Sequence, residues 1–284
     1  MKIVVTGAAG QLGRDVVDHL SDGVDGVIAL DRSGLDLAVD DARAVIADLA
    51  PDVVVNCAAY TAVDAAETDG ATATAVNDAG VRRLAEGCAD AGAHLVHVST
   101  DYVFDGTLDR PYVEDAPTNP QSVYGRTKLA GELAAAEVLG DAVTIVRTSW
   151  VCGEHGNNMV KLILRLAANP DQPLAFVDDQ IGHPTFTADL AVALGQVSRE
   201  RPGGVLHLTN QRAVSWYGFV REILAAAGHS PDRVRPITTA ELDPPRPAPR
   251  PANSVLDNAR ARELGWEPTR DFADPLAELV AKLT

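Results

Sequence analysis

Tyr124 and Lys128 stand four residues apart in Tyr124-Gly125-Arg126-Thr127-Lys128, so on a helix a phenol and an ammonium would share one face. The chain holds five tyrosines and four lysines (Lys2, Lys128, Lys161 and Lys282) in 284 residues, and chance would supply roughly 0.07 such pairs. The chemistry they suggest is proton transfer. A phenol ionises near pH 10, and a nearby cation stabilises the phenolate and brings the group toward its working range. Thr100 follows Ser99 at the end of a run that reads as a strand, at the carboxyl edge where open parallel sheets place their ligands. By itself it would read as a cap or a loop hydroxyl. Beside Tyr124 and Lys128 it can hold a substrate carbonyl against the phenol, and these three residues are the catalytic candidates.

Carbonyl chemistry of that kind needs a hydride donor, and the amino terminus offers it a place. Thr6-Gly7-Ala8-Ala9-Gly10-Gln11-Leu12-Gly13 lies between a short β-branched run and a helical pattern, where unpaired helix N–H groups face the loop and a pyrophosphate fits. Gly7, Gly10 and Gly13 permit the tight turn and a close approach of backbone to phosphate, with Gln11 and Leu12 between them. The spacing is G-x-x-G-x-x-G, not the commoner G-x-G-x-x-G. Asp31, eighteen residues beyond Gly13, stands near the place of an acid that accepts from an adenosine ribose. It disfavours a 2′-phosphate while Arg32 can pair with one, so NADH and NADPH both stay open. Asp36 reads first as an exposed loop carboxylate and second as a group within reach of the adenine edge.

These residues need elements to hold them. Strand signals at Lys2–Thr6, 26–30, 52–56, 94–99 and 142–147 alternate with helical patterns at 14–20, 41–49, 75–91 and 122–139. Near-continuous apolar strands between helices predict an α/β fold, a doubly wound parallel sheet covered on both faces. After about residue 150 the rhythm loosens: a helix at 158–168, a turn-rich stretch from Asn169 to Pro184, a helix at 187–197, a strand at 204–209 and a helix at 216–227. Seven prolines fall within 231–251, a segment expected to wrap the surface or line a cleft. The expected division is a dinucleotide-binding domain over 1–150, with a return around 180–215, and a smaller, partly discontinuous substrate-binding domain mainly over 151–284.

Composition narrows the partners. With 40 Asp plus Glu against 24 Lys plus Arg the net charge is −16, which repels polyanions and argues against nucleic acid. A GC-rich genome or adaptation to high salt would each produce this excess. No apolar run reaches the ~18 residues needed to span a bilayer, and Met1–Val5 runs straight into the glycine turn, so a cytoplasmic protein without a membrane partner is expected. Cys57, Cys88 and Cys152 read as packing residues, and the seven histidines lack the spacing of metal ligands.

The glycine turn and the Thr, Tyr-x-x-x-Lys set resemble the extended short-chain dehydrogenase/reductase family. Within it, Asn56-Cys57-Ala58-Ala59-Tyr60-Thr61-Ala62-Val63-Asp64, Ser99-Thr100-Asp101-Tyr102-Val103-Phe104-Asp105-Gly106, Tyr124 to Glu132 and Arg147-Thr148-Ser149-Trp150-Val151 resemble the dTDP-4-dehydrorhamnose reductase family. Gly156-Asn157-Asn158-Met159, Asp179-Gln180-Ile181-Gly182 with Pro184-Thr185, and Arg250-Pro251-Ala252-Asn253-Ser254 match the same family. The resemblance implies reduction of the C4 ketone of a dTDP-4-keto-6-deoxy-L-hexose by NADPH or NADH. It assigns Tyr124 as proton donor, Lys128 as the residue that lowers the phenol pKa and orients the ribose, and Thr100 as a partner of the carbonyl oxygen. It further implies that Ala58, Ala59 and Tyr60 flank the cofactor, that Val63, Asp101, Tyr102 and Trp150 shape the sugar pocket, and that the chain forms a homodimer. Some family members bind Mg²⁺ at a dimer contact. Asp15 matches one such place, but Ala188 stands where a second acid is expected and Asp189 is displaced by one, so no metal ligand is assigned. Dehydratases of the superfamily follow Thr-Asp with Glu, and here Tyr102 follows. Two alternatives stay open: a reductase of another dTDP-4-keto sugar, and a non-catalytic nucleotide-binding regulatory subunit like that of methionine adenosyltransferase.

Overall fold

The structure is a computed structural model that describes residues 1–23, 26–169 and 172–284. In chain order, β1 (Ile3–Thr6) leads to α1 (Gln11–Ser21), β2 (Val27–Leu30), α2 (Ala42–Leu49) and β3 (Val53–Asn56). Short helices α3 (Val63–Ala66) and α4 (Gly70–Thr74) precede a π-helical turn at Ala75–Ala79 and α5 (Gly80–Ala91). Next come β4 (His94–Thr100), α6 (Val123–Leu139) and β5 (Val143–Thr148). Beyond these lie β6 (Val151–Cys152), α7 (Met159–Ala167), β7 (Leu174–Val177), β8 (Ile181–Gly182), β9 (Thr185–Phe186) and α8 (Thr187–Glu200). The chain finishes with β10 (Gly204–His207), β11 (Val214–Ser215), α9 (Trp216–Ala226), β12 (Val234–Ile237), α10 (Ala259–Glu263) and α11 (Ala273–Leu283).

Ile3-Val4-Val5-Thr6 and Val53-Val54-Val55-Asn56 are buried along their whole length, the pattern of strands covered on both faces. They lie side by side in a main sheet of order β10-β5-β4-β3-β1-β2, in which every pairing is parallel. Val16 and Leu20 of α1 and Leu190, Leu194 and Val197 of α8 pack on one face. Ile46, Leu84 and Ala135, from α2, α5 and α6, pack on the other. The expected doubly wound sheet is therefore present. From β1 the chain runs to β2 on one side and to β3 on the other, and such a reversal opens a crevice at the carboxyl ends of those two strands.

A second core gathers Val160 and Ile163 of α7, Phe219 and Ile223 of α9, and Leu276 and Val280 of α11. Around it the expectations need correcting. The stretch read as turns from Asn169 to Pro184 contains two strands: β7 pairs in parallel with β12, and β8 pairs with β11; Pro170 and Asp171 of that stretch lie outside the described residues. Part of the proline-rich segment is therefore itself a strand. Pro236 is tolerated there because β12 has a partner on one side, leaving its other edge without ladder bonds to lose. The helix expected over 75–91 begins earlier, at Gly70, and passes through the π turn.

Candidate active site

Helix α6 carries the phenol and the ammonium, and its first turn is tied down from two directions. Ser122 caps it by accepting from the Gly125 N–H (3.1 Å), and Glu67 accepts from the Val123 N–H (2.8 Å). Gly125 allows the helix to press on the chain after β4, since a Cβ there would lie 2.3 Å from the Tyr102 carbonyl oxygen. Tyr124 and Lys128 both point to the sheet and are almost wholly buried. One turn further, Glu132 receives Arg147 of β5 through Nε and Nη2 (3.0 and 2.7 Å) and accepts from the Ser99 hydroxyl. This buried ion pair fixes α6 against β4 and β5.

Thr100 acts as the cap that its position suggested, and it also lines the cavity beside Tyr124. Its Oγ1 caps a 3₁₀ turn by accepting from the Tyr102 N–H (3.2 Å) and donates to Asp101 Oδ1 (2.9 Å), and it hydrogen-bonds the Tyr124 phenol. Burial pushes Asp101 up to about 6, against the hydrogen bond that it accepts from Thr100. Tyr102 meets Tyr124 edge to face, with ring centroids 5.6 Å apart.

The expected acidification of Tyr124 by Lys128 is not found. Burial pushes the phenol up to about 12, opposed by its contact with the Thr100 hydroxyl and reinforced by the charge of Asp101. The Lys128 ammonium turns instead toward the sheet, where Nζ donates to the Val98 carbonyl (2.8 Å) and lies 3.4 Å from His97 Nε2. Burial brings Lys128 down to about 8. For a reduction this direction is serviceable, because a phenol that keeps its proton at neutral pH is the form that can donate it.

A cavity of about 610 Å³ joins these groups to Gly10, Gln11 and Leu12 on one side and to Val63, Trp150 and Trp216 on the other. Thr100, Asp101, Tyr102, Tyr124 and Lys128 all line it. Trp150, at φ +45°, stacks on Trp216 with centroids 3.6 Å apart. Gly182 leaves room for that indole, since a Cβ there would lie 2.7 Å from Trp150 Cε2. Trp216 entered the sequence reading only as a helix start, and neither spacing nor motif joined it to Trp150. Thr148, Ser149 and Asn157 also line the cavity. The Thr148 Oγ1 is buried with no hydrogen-bond partner among the described residues.

The glycine turn is closely packed. At Gly7 (φ +67°) a Cβ would lie 2.6 Å from the Ala58 N, and at Gly13 it would lie 2.2 Å from the Gly7 carbonyl oxygen. Side chains are excluded at these two positions by backbone, which lets β1, the turn and the chain after β3 pack closely. Gln11 ties the turn to the second half of the chain, donating to the Val151 carbonyl and accepting from Asn158 Nδ2 (both 2.9 Å). A neighbouring cavity of about 310 Å³ brings Gly7, Ala58, Ala59 and Tyr60 together with Arg32 and Asp36. Asp31 lies outside this group and bounds a third cavity with Ala8 and Ala9. Its Oδ1 accepts from the Ser33 N–H, the Ser33 hydroxyl and the Gly34 N–H, so its own turn takes that oxygen. Asp36 does not face the adenine edge freely either, since its Oδ2 accepts from Arg32 Nε (2.8 Å) and its Oδ1 from the Ala38 N–H.

Of the residues considered for a metal, Asp15 and Ala188 line one cavity. Asp189 is held by Arg270 and by Asn210 Nδ2 (2.8 and 2.6 Å), and Ala188 offers no ligand atom. Asp15 also lies near Asp18 and His155, with ligand atoms within 4.8 Å of one another. No helix among the described residues is long and apolar enough to cross a membrane.

Residues 1–284 match the family described as the RmlD substrate binding domain. A dTDP-4-dehydrorhamnose reductase of Streptomyces griseus is 47% identical over 281 residues, covering 97% of this chain and 91% of its own. A probable dTDP-4,6-dihydroxy-2-methyloxan-3-one 4-ketoreductase of Streptomyces antibioticus is 45% identical over 282 residues, covering 98% and 94%. Among solved structures, the dTDP-4-dehydrorhamnose reductase of Bacillus anthracis in complex with NADP superposes with a TM-score of 0.91 at 32% identity, covering 99% of this chain and 100% of that one.

Proposed function

The chain belongs to the family of the RmlD substrate binding domain, and from that membership we propose that it reduces the C4 ketone of dTDP-4-dehydrorhamnose to give dTDP-L-rhamnose. It is a nicotinamide-dependent oxidoreductase acting on a dTDP-4-keto sugar. The observation that carries the finer reading is the single cavity lined at once by the glycine turn, by Thr100, Tyr124 and Lys128, and by Val63 and Trp150.

When bound, the reduced nicotinamide supplies the hydride for C4. Thr100 and Tyr124 hydrogen-bond the C4 oxygen, and Tyr124 Oη gives it a proton as it becomes an alkoxide. Lys128 presents its ammonium to the cofactor ribose. Gly7, Gly10, Gln11, Leu12 and Gly13 hold the pyrophosphate, and Ala58, Ala59 and Tyr60 flank the adenosine side. Val63, Asp101, Tyr102 and Trp150 shape the sugar pocket, and we add Trp216, stacked on Trp150. In this reading residues 1–150, with a return around 180–215, serve the dinucleotide and 151–284 mainly the sugar. A cytoplasmic homodimer is part of the proposal on the strength of the resemblance, and no metal is assigned.

NADPH is the proposed donor. One oxygen of Asp31 is taken by its own turn, and Arg32, with its side chain 80% exposed, stands on the rim of the adenosine cavity with its Nε held by Asp36. The terminal guanidinium nitrogens are then directed to a 2′-phosphate. Arg32→Ala is expected to raise KM for NADPH by ~10-fold, the worth of one partly screened charged hydrogen bond, and to leave NADH little changed. Equal effects on the two cofactors in steady-state assays would remove Arg32 from this role.

The test of the reading itself is oxidation of NADPH and NADH by the purified protein with dTDP-4-keto-6-deoxy-L-mannose, at low and molar KCl. One NADPH consumed per ketone is expected. Turnover confined to a different dTDP-4-keto sugar would move the protein to the second reading, which the 45% identity to the Streptomyces antibioticus ketoreductase keeps open. Binding without turnover of any such sugar would leave a regulatory subunit.

A further inference from the structure

Behind Lys128 lies a buried chain of polar groups whose proton positions can be worked out. Asn56 Oδ1, at the end of β3, accepts from Thr6 Oγ1 (2.6 Å) and from the backbone N–H of Ala58 (3.1 Å). A backbone N–H can only donate, so that atom is the amide oxygen and Nδ2 points the other way. There it stands 3.0 Å from His97 Nδ1. An amide nitrogen also only donates, so Nδ1 is the unprotonated ring nitrogen, and a neutral imidazole then carries its hydrogen on Nε2. His97 is wholly buried, and burial together with the charge of Lys128 holds its pKa well below the ordinary histidine value. The ring is neutral at physiological pH, and its Nε2–H faces Lys128 Nζ at 3.4 Å.

Two donors therefore confront each other. An ammonium has three N–H groups and no acceptor; one goes to the Val98 carbonyl, and His97 offers it nothing. We propose that His97, locked by Asn56 as its Nε2–H tautomer, is a positioning residue that denies Lys128 a second acceptor inside the sheet, beyond the Val98 carbonyl, and so keeps the remaining ammonium N–H groups turned to the cavity. The inference rests on the assignment of Lys128 to the active site. It links three motifs that seem independent in sequence: Thr6 from the glycine turn, Asn56 from Asn56-Cys57-Ala58-Ala59, and His97 from the strand that ends in Thr100.

The other groups facing Lys128 leave this role to His97. The Cys57 thiol is pushed up to about 12 by burial and stays neutral. Glu132 and Tyr124 lie on α6 itself; the Glu132 carboxylate is engaged by Arg147 and Ser99, and Tyr124 keeps its proton. The ammonium, at about 8, loses its proton as pH rises through that value, so kcat/KM for NADPH is expected to fall on the alkaline side near pH 8.

His97→Gln replaces the ring by an amide that can rotate its oxygen toward Lys128, giving the ammonium an acceptor. The alkaline limb of kcat/KM is expected to rise by ~1 pH unit, because a hydrogen bond to the charged form favours it. A limb that does not rise in a folded, cofactor-binding Gln variant overturns the proposal. Should that variant fail to fold, ¹⁵N-histidine NMR of the unaltered protein decides: a neutral Nε2–H His97 supports the proposal, and an Nδ1–H or doubly protonated ring overturns it. Absence of reductase activity in the unaltered protein would instead sink the functional reading, which the NMR measurement does not depend on.

Discussion

Tyr124→Phe is expected to lower kcat by ~10²-fold or more, the usual contribution of a positioned general acid, while NADPH still binds. The substitution removes one oxygen and leaves a ring of the same shape in a site where Tyr124 is 9% exposed and packs edge to face on Tyr102. Pocket shape and glycine turn are untouched, so the loss falls on the chemical step. Thr100 does not replace Tyr124 as donor, because its one hydroxyl proton is donated to Asp101 and an aliphatic hydroxyl is a weaker acid than the phenol. Single-turnover kinetics with saturating NADPH isolate the step, and fluorescence titration of the cofactor checks binding. A Phe variant that turns over at the parent rate would take the proton-donor role away from Tyr124.

The second large effect concerns stability. Arg147→Met is expected to destabilise the protein by about 3–5 kcal/mol, because it leaves the Glu132 carboxylate buried without its partner. The side chains of Arg147 and Glu132 are 5% and 3% exposed, so water cannot replace the lost bonds without opening the contact between α6 and β5. Pairing the change with Glu132→Leu should recover most of the loss, since a buried ion pair exchanged for apolar groups of similar size is often near neutral. Urea denaturation of the parent, single and double variants reads both numbers. A single variant less than ~1 kcal/mol below the parent would mean that the pair is more hydrated than its burial indicates. Because α6 carries Tyr124 and Lys128, the single variant should also lose activity at temperatures where its tertiary signal is still intact.

Much of the fold and most of the site are legible in the residues themselves. The β-branched runs ending at Thr6, Asn56 and Arg147 are strands in the structure, the last extended by one residue, and the glycine turn stands between β1 and α1 where its spacing put it. Two strands that the reading missed are paired across a long stretch of chain. Leu174–Val177 and Val234–Ile237 are hidden because each is a four-residue strand whose one partner among the described residues is the other, across a gap in sequence, and the surrounding prolines signal loop. For Asp31 and Asp36 the residue type is legible, and the structure adds the local bonds they make, from Ser33 and Gly34 to Asp31 and from Arg32 to Asp36.

Spacing along the chain was enough to place the phenol and the ammonium on one helix face, the hydroxyl at a strand end and the glycines at a helix start, because each of those relations spans a few residues and follows from backbone periodicity. Where the ammonium ends, which way the His97 ring carries its hydrogen, that Arg147 meets Glu132 and that Trp216 stacks on Trp150 were decided only by the tertiary structure. Those relations join residues on different elements, and their geometry is set by how helices and strands pack, which no local period encodes.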